Sequence, residues 1–193
     1  MSIKSIRTGW TGISALAGND QWFGDFQAIA SVTVGSGNAT QIDFSSIPTT
    51  YKHLQIRGIW KPATTSQWTY IRFGNAGTID TAANYSYHSL LGNGTTAYTE
   101  AVSGASATAM NLAYSNNTTY FASFVMDILD YADTNKYKTT RSIAGFDANG
   151  SGILGIISNS WRSSNATTDI RIYVDTSNNI SPNSHFALYG IRG

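Results

Sequence analysis

The chain has 193 residues, the length of about one domain, and only 12% of them are charged, about half of the ~25% typical of soluble domains. The formal net charge of +1 lacks the basic excess of proteins that bind nucleic acids or membrane surfaces, so neither partner is expected. With one glutamate, Glu100, and five lysines, good formers of surface helices are scarce. Thr, Ser, Asn and aromatic residues are plentiful, so the composition favours an all-β fold.

The chain contains no cysteine, which excludes a disulfide framework and thiolate metal sites. Residues 1–7 lack the apolar core of a secretory signal, and no apolar run approaches the roughly 20 residues of a membrane span. We therefore expect the chain to be made and folded in a cytoplasm, and we predict no cofactor.

The first 25 residues differ from the rest of the chain. Glycines punctuate this stretch, yet it carries Trp10, Trp22 and Phe23. Large apolar side chains in a glycine-rich segment predict an arm that docks on a neighbouring surface. The predicted organisation is an arm over residues 1–25 and one domain over residues 26–193.

From residue 26 onward, short strands alternate with turns. The strands are predicted at residues 29–34, 42–44, 53–60, 68–73, 85–91, 120–129, 139–146, 155–161, 170–174 and 186–191. Strands at this spacing predict a jelly-roll-like antiparallel β-sandwich. Strand 120–129 is apolar on both faces, which predicts a place at the centre of the sandwich. Residues 95–118 have no clear pattern and are interpreted as loop, with one strand near 109–113.

Two local patterns predict how the strands are oriented and joined. In strand 68–73, Ile71 and Phe73 are predicted to point inward. Between strands, Pro48 favours an extended corner. Tyr51 after it is either a corner tyrosine, whose hydroxyl bonds nearby backbone, or an ordinary surface residue.

The candidate catalytic groups are few and scattered. His53, His88 and His185 lack the spacing of metal ligands and are interpreted as structural. Residues 147–152 (DANGSG) superficially resemble a calcium loop, but the lone glutamate is distant and a hairpin turn is favoured. Acid pairs of the glycosidase type form in space, so sequence leaves them open, although acids scattered at turns are mainly turn formers. We predict that the chain is not an enzyme.

Two segments carry a family resemblance. Residues 44–59 (FSSIPTTYKHLQIRGI) and 186–193 (FALYGIRG) resemble virion structural proteins of tailed bacteriophages, particularly phages of cyanobacteria and marine bacteria. The similarity extends over most of residues 26–193. It implies a β-sandwich in the virion, often trimeric, that decorates the capsid or belongs to a tail or fibre, and it supplies no catalytic residues.

The expected function is therefore that of a capsid decoration (cement) protein, assembled in the host cytoplasm. Its expected partner is the major capsid protein, and the expected assembly is a homotrimer. Trp10, Trp22 and Phe23 are the expected anchors, because buried aromatic side chains dominate interface energetics.

The alternative is a tail or fibre-tip protein that binds host-surface glycans. Trp60 and Trp68 flank the segment 61–67, so their rings are candidates for a flat sugar-binding platform at one end of the sandwich. The competing interpretation is that strand aromatics fill the core and subunit interfaces.

Overall fold

The computed structural model describes residues 25–64, 67–106, 108–115, 118–175 and 179–193. The predicted anchors Trp10, Trp22 and Phe23 lie outside these residues. Within them the strands are β1 (Phe26–Thr33), β2 (Gln41–Phe44), β3 (His53–Trp60), β4 (Gln67–Asn75), β5 (Thr78–Ile79), β6 (Tyr85–Gly92), β7 (Ala97–Ala105), β8 (Thr108–Ser115), β9 (Ala122–Leu129), β10 (Lys138–Asp147), β11 (Gly152–Trp161), β12 (Asp169–Val174) and β13 (His185–Ile191). The described part of the chain contains no helix long and apolar enough to cross a membrane.

The strands form two antiparallel sheets. The larger has eight strands in the order β1-β13-β3-β9-β10-β11-β6-β7, and the smaller has five, in the order β2-β12-β4-β5 with β8 beside β4. Successive strands β1 to β4 alternate between the sheets, as the chain of a jelly roll does. The predicted fold, a jelly-roll-like antiparallel β-sandwich, is confirmed.

The core lies between the two sheets and follows from the period-two alternation of the strands. Ile71 and Phe73 of β4 are fully buried, as predicted, and face the core with Leu54 and Ile56 of β3. Aromatic residues close one end of the core, where the rings of Phe73 and Trp161 lie 5.7 Å apart.

Strand β9 is central in its sheet but is covered on one face only. Phe124, Met126 and Ile128 are buried, whereas Val125 and Leu129 point to the other face and are half-buried. The predicted central place is found within its sheet, but only one of the two apolar faces of the strand is buried. Its outer apolar residues are on the surface of the molecule.

The segment 95–118 contains two strands rather than one. The strand predicted near 109–113 lies within β8, but β7 was interpreted as loop. Strand β7 is at the edge of the eight-stranded sheet, and nearly all of its residues are exposed. An exposed edge strand needs no apolar alternation, so its sequence carries little signal.

The corner near Pro48 depends on a tyrosine far away in sequence. Tyr131 is fully buried, and its hydroxyl donates to the Pro48 carbonyl oxygen and accepts from the Tyr51 amide at 3.3 Å. Tyr131 therefore has the corner role for which Tyr51 was a candidate. The Tyr51 ring instead packs on Gly190, where an added Cβ would lie 2.4 Å from Tyr51 Cγ.

Replacing Gly190 with alanine is expected to lower the free energy of unfolding by about 1–3 kcal/mol, because the new methyl group overlaps the Tyr51 ring. Gly92→Ala is the matched control. An added Cβ at Gly92 meets nothing within 4 Å, so this change is expected to be neutral or slightly stabilising. Urea unfolding midpoints test the pair, and equal midpoints would contradict the packing of Tyr51 on Gly190.

Asp130 organises the turn between β9 and β10. Its carboxylate lies 3.0 Å from Lys52 Nζ and 2.5 Å from Lys136 Nζ, and its amide donates to His53 Nδ1 at 2.9 Å. Hydrogen bonds from Lys136 and Lys52 lower the pKa of Asp130 to about 2. The ionised carboxylate therefore stabilises the folded chain.

Asp130→Asn is expected to lower stability at pH 7 and to make no difference well below pH 2. The folded-state pKa of about 2 lies below the ordinary value of about 3.9, so the stabilisation is present above about pH 4 and is lost as pH falls through the folded pKa. Two asparagines of this chain, Asn149 and Asn183, have positive φ values of 59° and 66°, so asparagine tolerates the 46° of Asp130. Unfolding curves at several pH values test this, and a constant difference between the two chains would contradict it.

Candidate functional site

The outer face of the eight-stranded sheet carries a row of apolar side chains. Leu90 of β6 pairs with Ile156 of β11, Ile156 pairs with Ile143 of β10, and Ile143 pairs with Val125 of β9. Directly paired residues point to the same side of a sheet, so these four side chains form one continuous row.

The row is exposed and is extended by two neighbouring residues. The exposed fractions are 53% for Leu90, 49% for Ile143 and 55% for Ile156. Leu154 and Ile59, in the adjacent row, are 59% and 46% exposed. We call the set Ile59, Leu90, Val125, Ile143, Leu154 and Ile156 the outer apolar face.

A polar row borders the outer apolar face on one side. Asp127 of β9 accepts from Gln55 Nε2 at 2.7 Å and from Arg141 Nε at 3.0 Å, so its charge is already paired within the chain. Ser158 and His88 continue this row across β11 and β6. A contiguous apolar area with a polar rim is typical of a protein-binding surface.

A second feature is a cleft of about 710 Å³ beside the hairpins β6–β7 and β10–β11. We call it the edge cleft. Its aromatic walls are Trp68, Tyr98 and Phe146, and its principal polar groups are Ser89, Asn93 and Glu100. Its volume is in the range of small-molecule binding sites.

The β6–β7 turn fixes one wall of the edge cleft. Asn93 Oδ1 accepts from the amides of Thr95 and Thr96 at 3.0 and 2.8 Å. The other end of the same amide, Nδ2, donates to the Tyr98 hydroxyl at 3.2 Å. The turn therefore holds the Tyr98 ring, which is 49% exposed, at the mouth of the cleft.

Ser89 and Glu100 are directly paired across β6 and β7. Ser89 is 6% exposed, and its Oγ has no hydrogen-bond partner among the described residues. Burial raises the pKa of the nearby Tyr87 hydroxyl to about 12, and the charge of Glu100 and a hydrogen bond with it act in the same direction. Tyr87 and Glu100 therefore interact on the strand pair that also carries the unpaired Ser89 hydroxyl.

The structure separates the two tryptophans of the predicted glycan platform. Trp60 is fully buried, because its position in β3 has the same parity as Leu54 and Ile56, which face the core. The prediction of a Trp60 ring facing a glycan is wrong. Trp68 is half-buried and lines the edge cleft.

The histidines have local hydrogen-bonding roles or lie on the surface. His53 accepts from the Asp130 amide, His185 Nδ1 lies 2.8 Å from Thr33 Oγ1, and His88 is exposed on the outer face of β6. Across the described ranges no group of three or more His, Cys, Asp or Glu residues is arranged to hold a metal ion.

The segment 147–152 is a hairpin turn, as favoured from the sequence. Asn149 and Gly150 have φ values of 59° and 99°, and the Ala148 amide donates to the Ser151 carbonyl at 2.7 Å. Positive φ at both central residues is the geometry of a tight two-residue hairpin.

Sequence analysis missed Ser89, Tyr98, Glu100 and the outer apolar face. Apolar residues at alternate positions in three predicted strands were the available signal for the outer apolar face. The sequence gives no comparable signal for the edge cleft, because strand β7, which carries Tyr98 and Glu100, has no apolar alternation.

Comparisons with known proteins do not assign the chain to a family. No family model matches the chain, and no curated protein matches it. Among solved structures, the chain is similar to the crystal structure of Caenorhabditis elegans galectin LEC-6, with a TM-score of 0.32 and 9% identity, covering 84% of this chain and 96% of that chain. A likeness at this level carries no argument about the ligand of this chain.

Ser89→Ala is expected to leave the free energy of unfolding unchanged or to raise it by up to about 1 kcal/mol, because it removes a buried hydroxyl that has no partner. Thr140→Val is the control. It removes the acceptor of Asn159 Nδ2, 3.0 Å away in the core, and is expected to cost about 1–3 kcal/mol. Chemical unfolding measures both variants. If Ser89→Ala lowered the free energy of unfolding as much as Thr140→Val does, the Oγ of Ser89 would have a hydrogen-bond partner.

Proposed function

We propose that this chain is a structural protein of a tailed-phage virion, a capsid decoration (cement) protein that binds adjacent capsid subunits. The observation that supports this best is the outer apolar face, on which Leu90, Ile143, Leu154 and Ile156 are each about half exposed. An exposed sheet face of this composition suits attachment to another protein. The virion context rests on the resemblance of residues 44–59 and 186–193 to phage structural proteins.

The energetics favour an assembly of several copies. Burying one half-exposed Leu or Ile contributes on the order of 1 kcal/mol, so one outer apolar face supports a contact of modest strength. In a homotrimer three such contacts act together, and the effective concentration of the second and third raises the overall affinity. Trp10, Trp22 and Phe23 of the predicted arm are proposed to add anchors on the neighbouring subunit.

The charge pattern predicts which kind of force dominates the attachment. The net charge is +1, and the rim carboxylate of Asp127 is already paired with Arg141. Few charges remain to attract a partner over a distance, so attachment through this face depends weakly on salt.

The tail or fibre-tip assignment remains the competing proposal. It places the chain on the tail, with a glycan of the host surface as its ligand. The platform of Trp60 and Trp68 that the sequence suggests for it is not formed, because Trp60 is buried.

The double variant Ile143→Thr, Ile156→Thr is expected to reduce occupancy on purified empty heads about tenfold or more, because it removes two adjacent apolar contacts. Threonine keeps the β propensity of these positions, so the fold is retained. Tyr137→Ser changes an equally exposed residue, 58% exposed, in the β9–β10 turn and is expected to bind like the unchanged chain.

Co-sedimentation measures the occupancy, and cryo-electron microscopy of the same heads shows where the protein is bound. Density on the capsid that is lost in the double variant supports the proposal. Equal occupancy of the double variant and the control would overturn attachment through the outer apolar face. Density confined to the tail would overturn the capsid assignment.

A further inference from the structure

We propose that the edge cleft is a binding site for a short neutral saccharide. This site is separate from the outer apolar face and does not rest on the virion role of the chain. Three features support it: the combination of aromatic walls with polar groups, a buried hydroxyl without a partner, and the charge of the lining.

The aromatic walls suit a ligand with flat apolar faces. Trp68 approaches the edge cleft from β4 of the smaller sheet, Tyr98 lies on β7, and Phe146 lies near the end of β10. Pyranose rings present a patch of C–H groups that packs on an aromatic ring, and their rims carry hydroxyls. A site for such a ligand needs both kinds of surface within one cleft.

Ser89 points to a polyhydroxylated ligand in particular. Its Oγ is buried, lines the cleft and has no hydrogen-bond partner among the described residues. A buried polar atom without a partner costs free energy, which a hydrogen bond from a ligand recovers. A sugar hydroxyl in the cleft supplies the missing hydrogen bond.

Glu100 determines the charge class of the ligand. It is the sole charged residue among the described lining residues, so anionic ligands such as nucleotides, phosphates and sulfated sugars are disfavoured. A carboxylate can accept two hydrogen bonds from vicinal hydroxyls. The carboxylate is already held by Tyr87, which reduces the cost of ordering it when a ligand binds.

The two surfaces of the chain can be occupied together. Leu90 points outward from β6, whereas Ser89 and Leu91 on either side of it point inward, towards the edge cleft. Successive residues of a strand lie on opposite faces. A partner on the outer apolar face therefore leaves the cleft open to a sugar.

The test uses the full chain, labelled with ¹⁵N, and the neutral probes methyl glucoside, methyl galactoside, methyl mannoside, lactose and maltose, with glucosamine as a cationic probe. Saturable shifts at Ser89, Tyr98, Glu100 and the Trp68 indole are expected with at least one neutral probe. Tyr98→Ala and Glu100→Gln are each expected to weaken that binding about tenfold. Tyr137→Ala, a change at an exposed tyrosine outside the cleft, is expected to leave it unchanged.

One conservative variant and one check of the spectrum keep the test independent of any loss of folding. Glu100→Gln preserves the size of the side chain, and an unchanged spectrum away from the cleft shows that each variant is folded. No shift with any neutral probe at tens of millimolar would overturn the proposal. So would shifts caused by glucosamine alone, or equal binding by Tyr98→Ala, Glu100→Gln and the control.

Discussion

Everything in this molecule depends on one packed interface between two sheets of unequal width. An eight-stranded sheet faces a five-stranded one, and the inward residues of both supply the apolar burial that stabilises the chain. Two layers have only one interior. The outer face of the larger sheet has no third layer within the described residues, so apolar residues there, such as Ile143 and Ile156, must remain exposed unless another molecule covers them.

The two ends of β6 differ in how their buried polar side chains are hydrogen-bonded. At its first residue, Tyr85 accepts from the Phe73 amide at 3.0 Å and donates to the Asp80 carbonyl at 3.0 Å. Trp161 Nε1 donates to the Asp80 carboxylate at 2.8 Å, so Tyr85, Asp80 and Trp161 are joined by hydrogen bonds. Nearer the β6–β7 hairpin, Ser89 Oγ is buried and has no hydrogen-bond partner among the described residues. This unpaired hydroxyl lies in the edge cleft.

The strand pattern was largely predictable because buried strands must alternate, and the positions of Ile71 and Phe73 follow from that rule alone. The same rule separates the two tryptophans. Trp60 has the parity of Leu54 and Ile56, which face the core, whereas Trp68 has the parity opposite to that of Ile71 and Phe73. Strand β7 was missed because an edge strand exposed on both faces has no alternation to detect. The outer apolar face was missed because the sequence alone does not distinguish an apolar strand residue on the surface from one in the core.

The register between β6 and β11 ties the two candidate surfaces to each other. The pairing of Leu90 with Ile156 and of Ser89 with Ile157 places one pair outside and the other inside. A shift by one residue would move Leu90 into the core and Ser89 out to solvent, exchanging the two faces. Burial of Ile157 and Trp161 in the core holds this register. The packing that stabilises the fold therefore also keeps the apolar residues available to a partner and the polar ones within the cleft, so neither surface needs a separate structural device.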